Sequence, residues 1–126
     1  QEKYKTTRVS DEQVEHLFSK ASALIVDRNQ FKNPELTLKS LSEELNVSTQ
    51  VLSMVINQKS QKNFNAFVNH HRVEEAIRLL NDQNYQNLTI SSIAYEAGFN
   101  SISSFNSAFK KQTDKTPQAY RQQLTK

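Results

Sequence analysis

Only a few side chains in this chain could do metal or covalent chemistry, and they gather at His70-His71 and Glu74-Glu75. On a helix, His70 with Glu74 and His71 with Glu75 stand four residues apart, a spacing at which two side chains on one face can hold a zinc ion. The plainer reading of the same spacing is helix salt links, or histidines facing phosphate, and it carries the greater weight. There is no cysteine, so disulfides and thiolate metal sites are excluded. No nucleophile stands beside a base at a useful spacing. With one glycine in 126 residues there is no glycine-rich phosphate loop either. The chain is therefore expected to be no enzyme, to use no cofactor and to hold no metal.

The chemistry that remains is hydrogen bonding by short polar side chains. Two groups carry it: Thr49, Gln50, Ser53 and Met54, then Ile102, Ser103, Asn106 and Ser107. The apolar periodicity puts each group on the outward face of a short helix, near its start. The amides of Gln50 and Asn106 offer the donor–acceptor pair that matches adenine, and Met54 and Ile102 could touch a thymine methyl. Neither group contains Arg or Lys, so an A·T-leaning target or shape readout is expected over guanine reading. Lys59, Lys62, Lys110, Lys111 and Lys115 are expected at phosphates, with backbone N–H groups at the helix starts near Thr37 and Thr89. Each lysine has solvated surface as its plain alternative. The net charge of +3 and pI of about 9.2 agree with a nucleic-acid partner without demonstrating one.

The elements that must position these residues read as all-α. One Gly and two Pro leave few places for hairpins, and Val and Ile never alternate over a strand length. No apolar run approaches the roughly 18 residues of a membrane span. Ser10 with Gln13 makes a capping-box pattern, and Val14, Leu17, Phe18, Ala21, Leu24 and Ile25 follow as one stripe. Thr37, Ser48 and Asn63 are expected as caps of the next three helices, with Asn46 left-handed at the intervening turn. The helix from Asn63 to about Asn81 is apolar on several sides, so it is expected to be central.

Thr89 to Arg121 then repeats the earlier design. Leu36-Thr37-Leu38 returns as Leu88-Thr89-Ile90, an offset of 52 residues, and Leu41 returns as Ile93. After a turn one residue longer, Leu52, Ile56 and Asn63 return as Phe105, Phe109 and Thr116. Gly98 stands at that turn, where a φ above zero is expected. Helix, tight turn, helix is the helix-turn-helix pattern, and two copies in register are far harder to reach by accident than one. Arg72 and Arg121, beside apolar helix faces, are expected to pair with carboxylates or carbonyls; Tyr95, Tyr120 and the phenylalanines are expected in the core.

Ile93-Ala94, Gly98-Phe99, Phe105, Phe109-Lys110-Lys111, Thr116-Pro117 and Tyr120-Arg121 together resemble the signature of the AraC/XylS family of bacterial transcription regulators. The first half is similar through Leu41, Ser48, Leu52 and the run from Arg72 to Leu80, so the resemblance covers roughly Leu36 to Arg121. Asp114 and Gln61 stand where family members usually or often carry glycine. The resemblance implies a monomeric domain of about seven helices, with two homeodomain-like helix-turn-helix subdomains joined by a long linker helix. It implies double-stranded promoter or operator DNA as partner, one recognition helix in each of two successive major-groove segments, and a framework role for Gly98, Phe99, Arg72, Phe105, Phe109, Pro117 and Arg121. A linker of about 27 Å plus flanking helices suits one DNA turn of about 34 Å.

The expected layout is a linker over 1–9, a first subdomain with its linker helix over 10–81, and a second over 82–126. The chain opens on Gln1 with Met54 its only methionine, so it is expected to be a fragment of a longer protein. That protein is expected to work in the cytoplasm or from a membrane anchor, to dimerise through an upstream domain, and to meet RNA polymerase; no small-molecule site is expected in the fragment. The rival reading is a helical protein-interaction module that has lost specific DNA binding, supported by the small, uncharged outward faces.

Overall fold

The computed structural model describes residues 9–124. Among them are seven α-helices and no strand: α1 (Asp11–Ser22), α2 (Leu38–Leu45), α3 (Thr49–Ser60), α4 (Phe64–Leu80), α5 (Ile90–Glu96), α6 (Ile102–Thr113) and α7 (Pro117–Leu124). A π-helical turn at Ala23–Asp27 extends α1, and single 3₁₀ turns sit at Gln30–Lys32 and Gln83–Tyr85. None of these helices is long and apolar enough to cross a membrane. Of the expected linker over 1–9, all but Val9 lies outside the described residues.

Each helix starts where a short polar side chain can take an orphan backbone N–H. Ser10 and Gln13 close a reciprocal capping box on α1, at 3.1 and 3.0 Å. Thr37 accepts from Ser40 N–H and Thr89 from Ser92 N–H, both at 3.0 Å. Ser48 accepts from Val51 N–H and Ser101 from Ser104 N–H, both at 3.1 Å. Asn63 caps α4 through Ala66 N–H at 2.8 Å, and Thr116 caps α7 through Ala119 N–H at 3.1 Å. The repeat seen in the sequence is thus a repeat of hydrogen bonds.

It extends to the helix exits. Gln61 after α3 and Asp114 after α6 are left-handed, with φ of 63° and 64°. In both places a hydroxyl three residues before the next cap ties the exit down. Ser60 donates to Ile56 C=O (2.6 Å) and accepts from Lys62 N–H (3.1 Å); Thr113 donates to Phe109 C=O (2.8 Å) and accepts from Lys115 N–H (3.2 Å). These bonds hold turns at which glycine would be unstrained. Asn46 takes the same conformation after α2, at φ 60°.

The helices pack as two compact units. Among the described residues, one comprises 9–30 with Leu36–Val68; the other comprises Phe31–Glu35 with 69–124. The division falls inside α4 rather than after Asn81, because α4 is apolar along its whole length. Phe64, Phe67 and Val68 are buried at one end, and Phe67 meets Phe18 edge-on at 5.8 Å. Val73, Ala76, Leu79 and Leu80 belong to the core of the second unit. That core is laced by an aromatic series: Phe99–Phe105, Phe105–Phe109 and Phe109–Tyr120 lie at centroid distances of 5.1, 5.5 and 5.5 Å, a geometry favourable beyond area burial alone. Tyr95 departs from expectation. It is 53% exposed, because Ile93, Ala94 and Ala97 take the inward side of α5 and leave Tyr95 about 200° round from Ile93.

A candidate nucleic-acid interface built twice

In each unit a short helix, a tight turn and a second helix carry the outward polar groups. Leu52, Val55 and Ile56 pin the inner side of α3. Gln50 and Asn57 are then exposed, with Thr49, Ser53 and Met54 half-buried beside them. On α6, Phe105 and Phe109 face inward, and Ser103, Asn106, Ser107 and Lys110 are exposed. Ile102 is half-buried and packs against the second core. An open groove of about 800 Å³ runs along α6, lined on its apolar side by Ile90, Ile102 and Pro117 and on its polar side by Asn106, Lys110 and Lys111.

The helix ends favour an anionic partner. Asp11 and Glu12 occupy the first turn of α1, but none of α2 to α7 carries an acid in its first turn. Their positive dipole ends therefore meet no acid within their own first turn. Thr37 and Thr89 each spend their side-chain oxygen on the third N–H of α2 and α5, which leaves the earlier N–H groups outside the helix ladder. Lys62, Lys110, Lys111 and Lys115 are exposed. Lys39, a residue that sequence reasoning passed over, is exposed in the first turn of α2 beside Thr37. Its signal was there to read, since a cation is the wrong charge for the protein's own dipole at that position.

Lys59, one of the lysines expected at phosphate, is half-buried. It is ion-paired with Glu15 of α1. Nine residues at about 100° each put it roughly opposite Gln50 on α3. The corresponding residue of α6 is Gln112, which donates to Glu74 of α4 at 3.4 Å. Both positions therefore tie the second helix back to an earlier one.

The turn of the second unit is tighter than a positive φ alone requires. Gly98 has φ 108°, and a β-carbon there would overlap the carbonyl oxygen of Phe31 and lie 2.7 Å from Lys32 Cα. Arg72 holds that same segment: its Nε donates to Phe31 C=O at 2.6 Å, Nη2 to Asn33 C=O at 2.9 Å and Nη1 to Asn69 Oδ1 at 3.3 Å. The guanidinium also lies over the Phe99 ring, 5.9 Å from its centroid. Burial lowers the Arg72 pKa from its ordinary value, and an arginine so placed stays charged. Arg121 grips the approach to α5 in the same manner, donating to Leu88 C=O at 2.6 Å and Tyr85 C=O at 3.3 Å. Pro117 is buried at the first position of α7, where its missing N–H costs nothing.

His70 stands 3.8 Å from Glu74, and the rings of His70 and His71 meet edge-on at 5.2 Å. Glu75 turns to Lys32 at 3.4 Å and Arg78 at 2.7 Å. Among the described residues no three His, Cys, Asp or Glu side chains converge as metal ligands.

A helix, a tight turn and a second capped helix with a polar outer face, present twice, define a tandem helix-turn-helix domain. A family model described as a helix-turn-helix domain matches residues 41–123. The regulatory protein PocR of Salmonella typhimurium is 33% identical over 90 residues, which is 71% of this chain and 29% of PocR. An uncharacterized HTH-type transcriptional regulator of Staphylococcus aureus, SACOL0084, is 38% identical over 87 residues, 69% of this chain and 11% of its own. Among solved structures, the C-terminal domain of AraT, a response regulator from Geobacillus stearothermophilus, superposes with a TM-score of 0.74 at 32% identity, covering 92% of this chain and 88% of that one. The C-terminal domain of the two-component response regulator yesN from Fusobacterium nucleatum gives 0.70 at 28% identity, covering 82% and 97%. The chain belongs to the AraC/XylS family of helix-turn-helix transcription regulators, and DNA binding is its function. It spans between 11% and 30% of the length of these curated regulators and of a third from Escherichia coli.

Proposed function

We propose that the chain recognises a specific double-stranded DNA site, with α3 and α6 each laid in a segment of the major groove. The observation that carries this reading is the doubled frame. Ser48 and Ser101 start both helices with the same hydrogen bond, and the polar faces beyond them turn outward. Thr49, Gln50, Ser53 and Met54 would read one element; Ile102, Ser103, Asn106 and Ser107 would read the other. Gln50 and Asn106 take adenine edges, while Met54 and Ile102 meet thymine methyls. Lys39, Lys62, Lys110, Lys111 and Lys115, with the helix starts at Thr37 and Thr89, hold the phosphates and set the register.

The kinship to transcription regulators supports a larger protein that works in the cytoplasm, or anchored at its membrane, and acts beside RNA polymerase. Its dimerisation, where it occurs, belongs to an upstream region. The test is selection of bound sites from a random duplex pool by the 126-residue chain, followed by affinity measurement at fixed salt. A selected A·T-leaning site bound at least about 10³-fold tighter than random duplex is expected. Equal affinity for both would leave the protein-interaction reading standing in its place.

A further inference from the structure

The second helix-turn-helix unit is not closed by its own stretch of chain. Phe31 to Glu35 lie between α1 and α2 in sequence, yet they pack as part of the second unit. Phe31 is buried there, with its carbonyl against Gly98 and in the grip of Arg72. The same guanidinium lies over Phe99, whose ring meets Phe105 on the inner face of α6. A continuous path of packed groups therefore runs from Phe31–Asn33 through the Gly98-Phe99 turn to the second recognition helix.

We infer that the Phe31–Asn33 strap sets the orientation of α6 for DNA reading, and that Arg72 is the positioning residue that holds the strap in place. The inference rests on the proposed function, because orientation matters only if α6 reads a groove. The physical argument concerns tolerance. A recognition group must be held to within about 0.5 Å and 10–20° to be useful. The turn between α5 and α6 is where that angle is set, and the backbone of Phe31 and Lys32 lies so close to Gly98 that not even a β-carbon would fit between them. The carbonyls of Phe31 and Asn33 both need the planar fork of arginine. A lysine ammonium in its place keeps the charge but does not reproduce that bridge.

The test uses the whole chain in two measurements. Amide hydrogen exchange on free protein compares wild type with Arg72→Lys, and with Phe31→Leu as a milder variant that carries the same readouts if the first does not fold. Hydroxyl-radical footprinting then uses the duplex selected by wild type, with Gln50→Ala and Asn106→Ala assigning each protected element to its helix. Exchange across Gly98 to Phe105 should rise by about tenfold or more, as loss of charge-assisted hydrogen bonds implies, with α3 unchanged. Protection of the Asn106-dependent element should fade while the Gln50-dependent element persists. A role confined to general stability would raise exchange in both units and dim both elements together, and that result, or no change at all, overturns the inference. Failure of wild type to select any site would count against the proposed function instead, and hydrogen exchange would still decide whether the strap holds α6.

Discussion

Lys59 of α3 is paired with Glu15 of α1 on the side of the helix turned away from Gln50. A positive charge near a recognition helix is thus no guide to DNA contact unless its helical phase is known. Lys110 is the contrasting case, because it stands four residues beyond Asn106 and shares its outward face. The slope of log Kobs against log salt should therefore keep its value in Lys59→Ala. It should lose about 0.9 in each of Lys110→Ala and Lys111→Ala. Anisotropy titrations over a range of salt concentrations read this directly.

Gln50→Ala and Asn106→Ala should each cost about 1–3 kcal/mol of discrimination at a single base pair, with little change in affinity for random duplex. Repeating the pool selection with each variant checks it. Relaxation at different positions for the two variants is expected. A uniform loss over the whole site would mean that these amides touch phosphate and read no base.

Gly98, Gln61 and Asp114, all at positive φ, should respond to substitution with opposite signs. Gly98→Ala should destabilise by more than about 2 kcal/mol, since strain adds to overlap with backbone that cannot rotate away. Gln61→Gly and Asp114→Gly should stabilise by about 0.5–1 kcal/mol each, as relief of left-handed strain exceeds the added chain entropy. Urea denaturation of the three variants gives the comparison.

Acid should loosen the grip on the strap. Glu75 lies below the ordinary glutamate pKa, first because Arg78 hydrogen-bonds it and then, against the cost of burial, because Lys32 and Arg78 are close. A depressed carboxylate contributes stability above its unfolded-state pKa and loses it as pH falls through the folded value. Wild type should thus lose stability as pH drops below the ordinary glutamate range, and Glu75→Gln should flatten that part of the profile. Melting temperatures taken across the acid range test the sign.

Much of the fold was legible because its determinants are local. The caps at Ser10, Thr37, Ser48, Asn63, Thr89 and Thr116 are three-residue patterns, and Gly98 announced itself by being alone. The offset of 52 residues exposed the repeat without any contact being known. Contacts between distant residues left no such trace. Glu15 and Lys59 are 44 residues apart, and Phe31 reaches Gly98 across a longer gap, so neither meeting has a periodicity to detect. The strap lies between α1 and α2 without an apolar periodicity of its own, because its work is done in the other unit. Tyr95 misled for a different reason: an aromatic residue beside two buried ones invites a core assignment, and one step of 100° is enough to turn it to solvent.

The hydrogen bonds common to the two units are made by caps, hydroxyl ties, the Lys59 and Gln112 ties and the Arg72 and Arg121 grips, and none of them uses Gln50, Ser53, Ser103 or Asn106. Framework and reading face are thus chemically separate. On the proposed reading, single surface substitutions on one helix would alter its half of the target while its twin keeps the other, so a binding site could change in halves through intermediates that still fold.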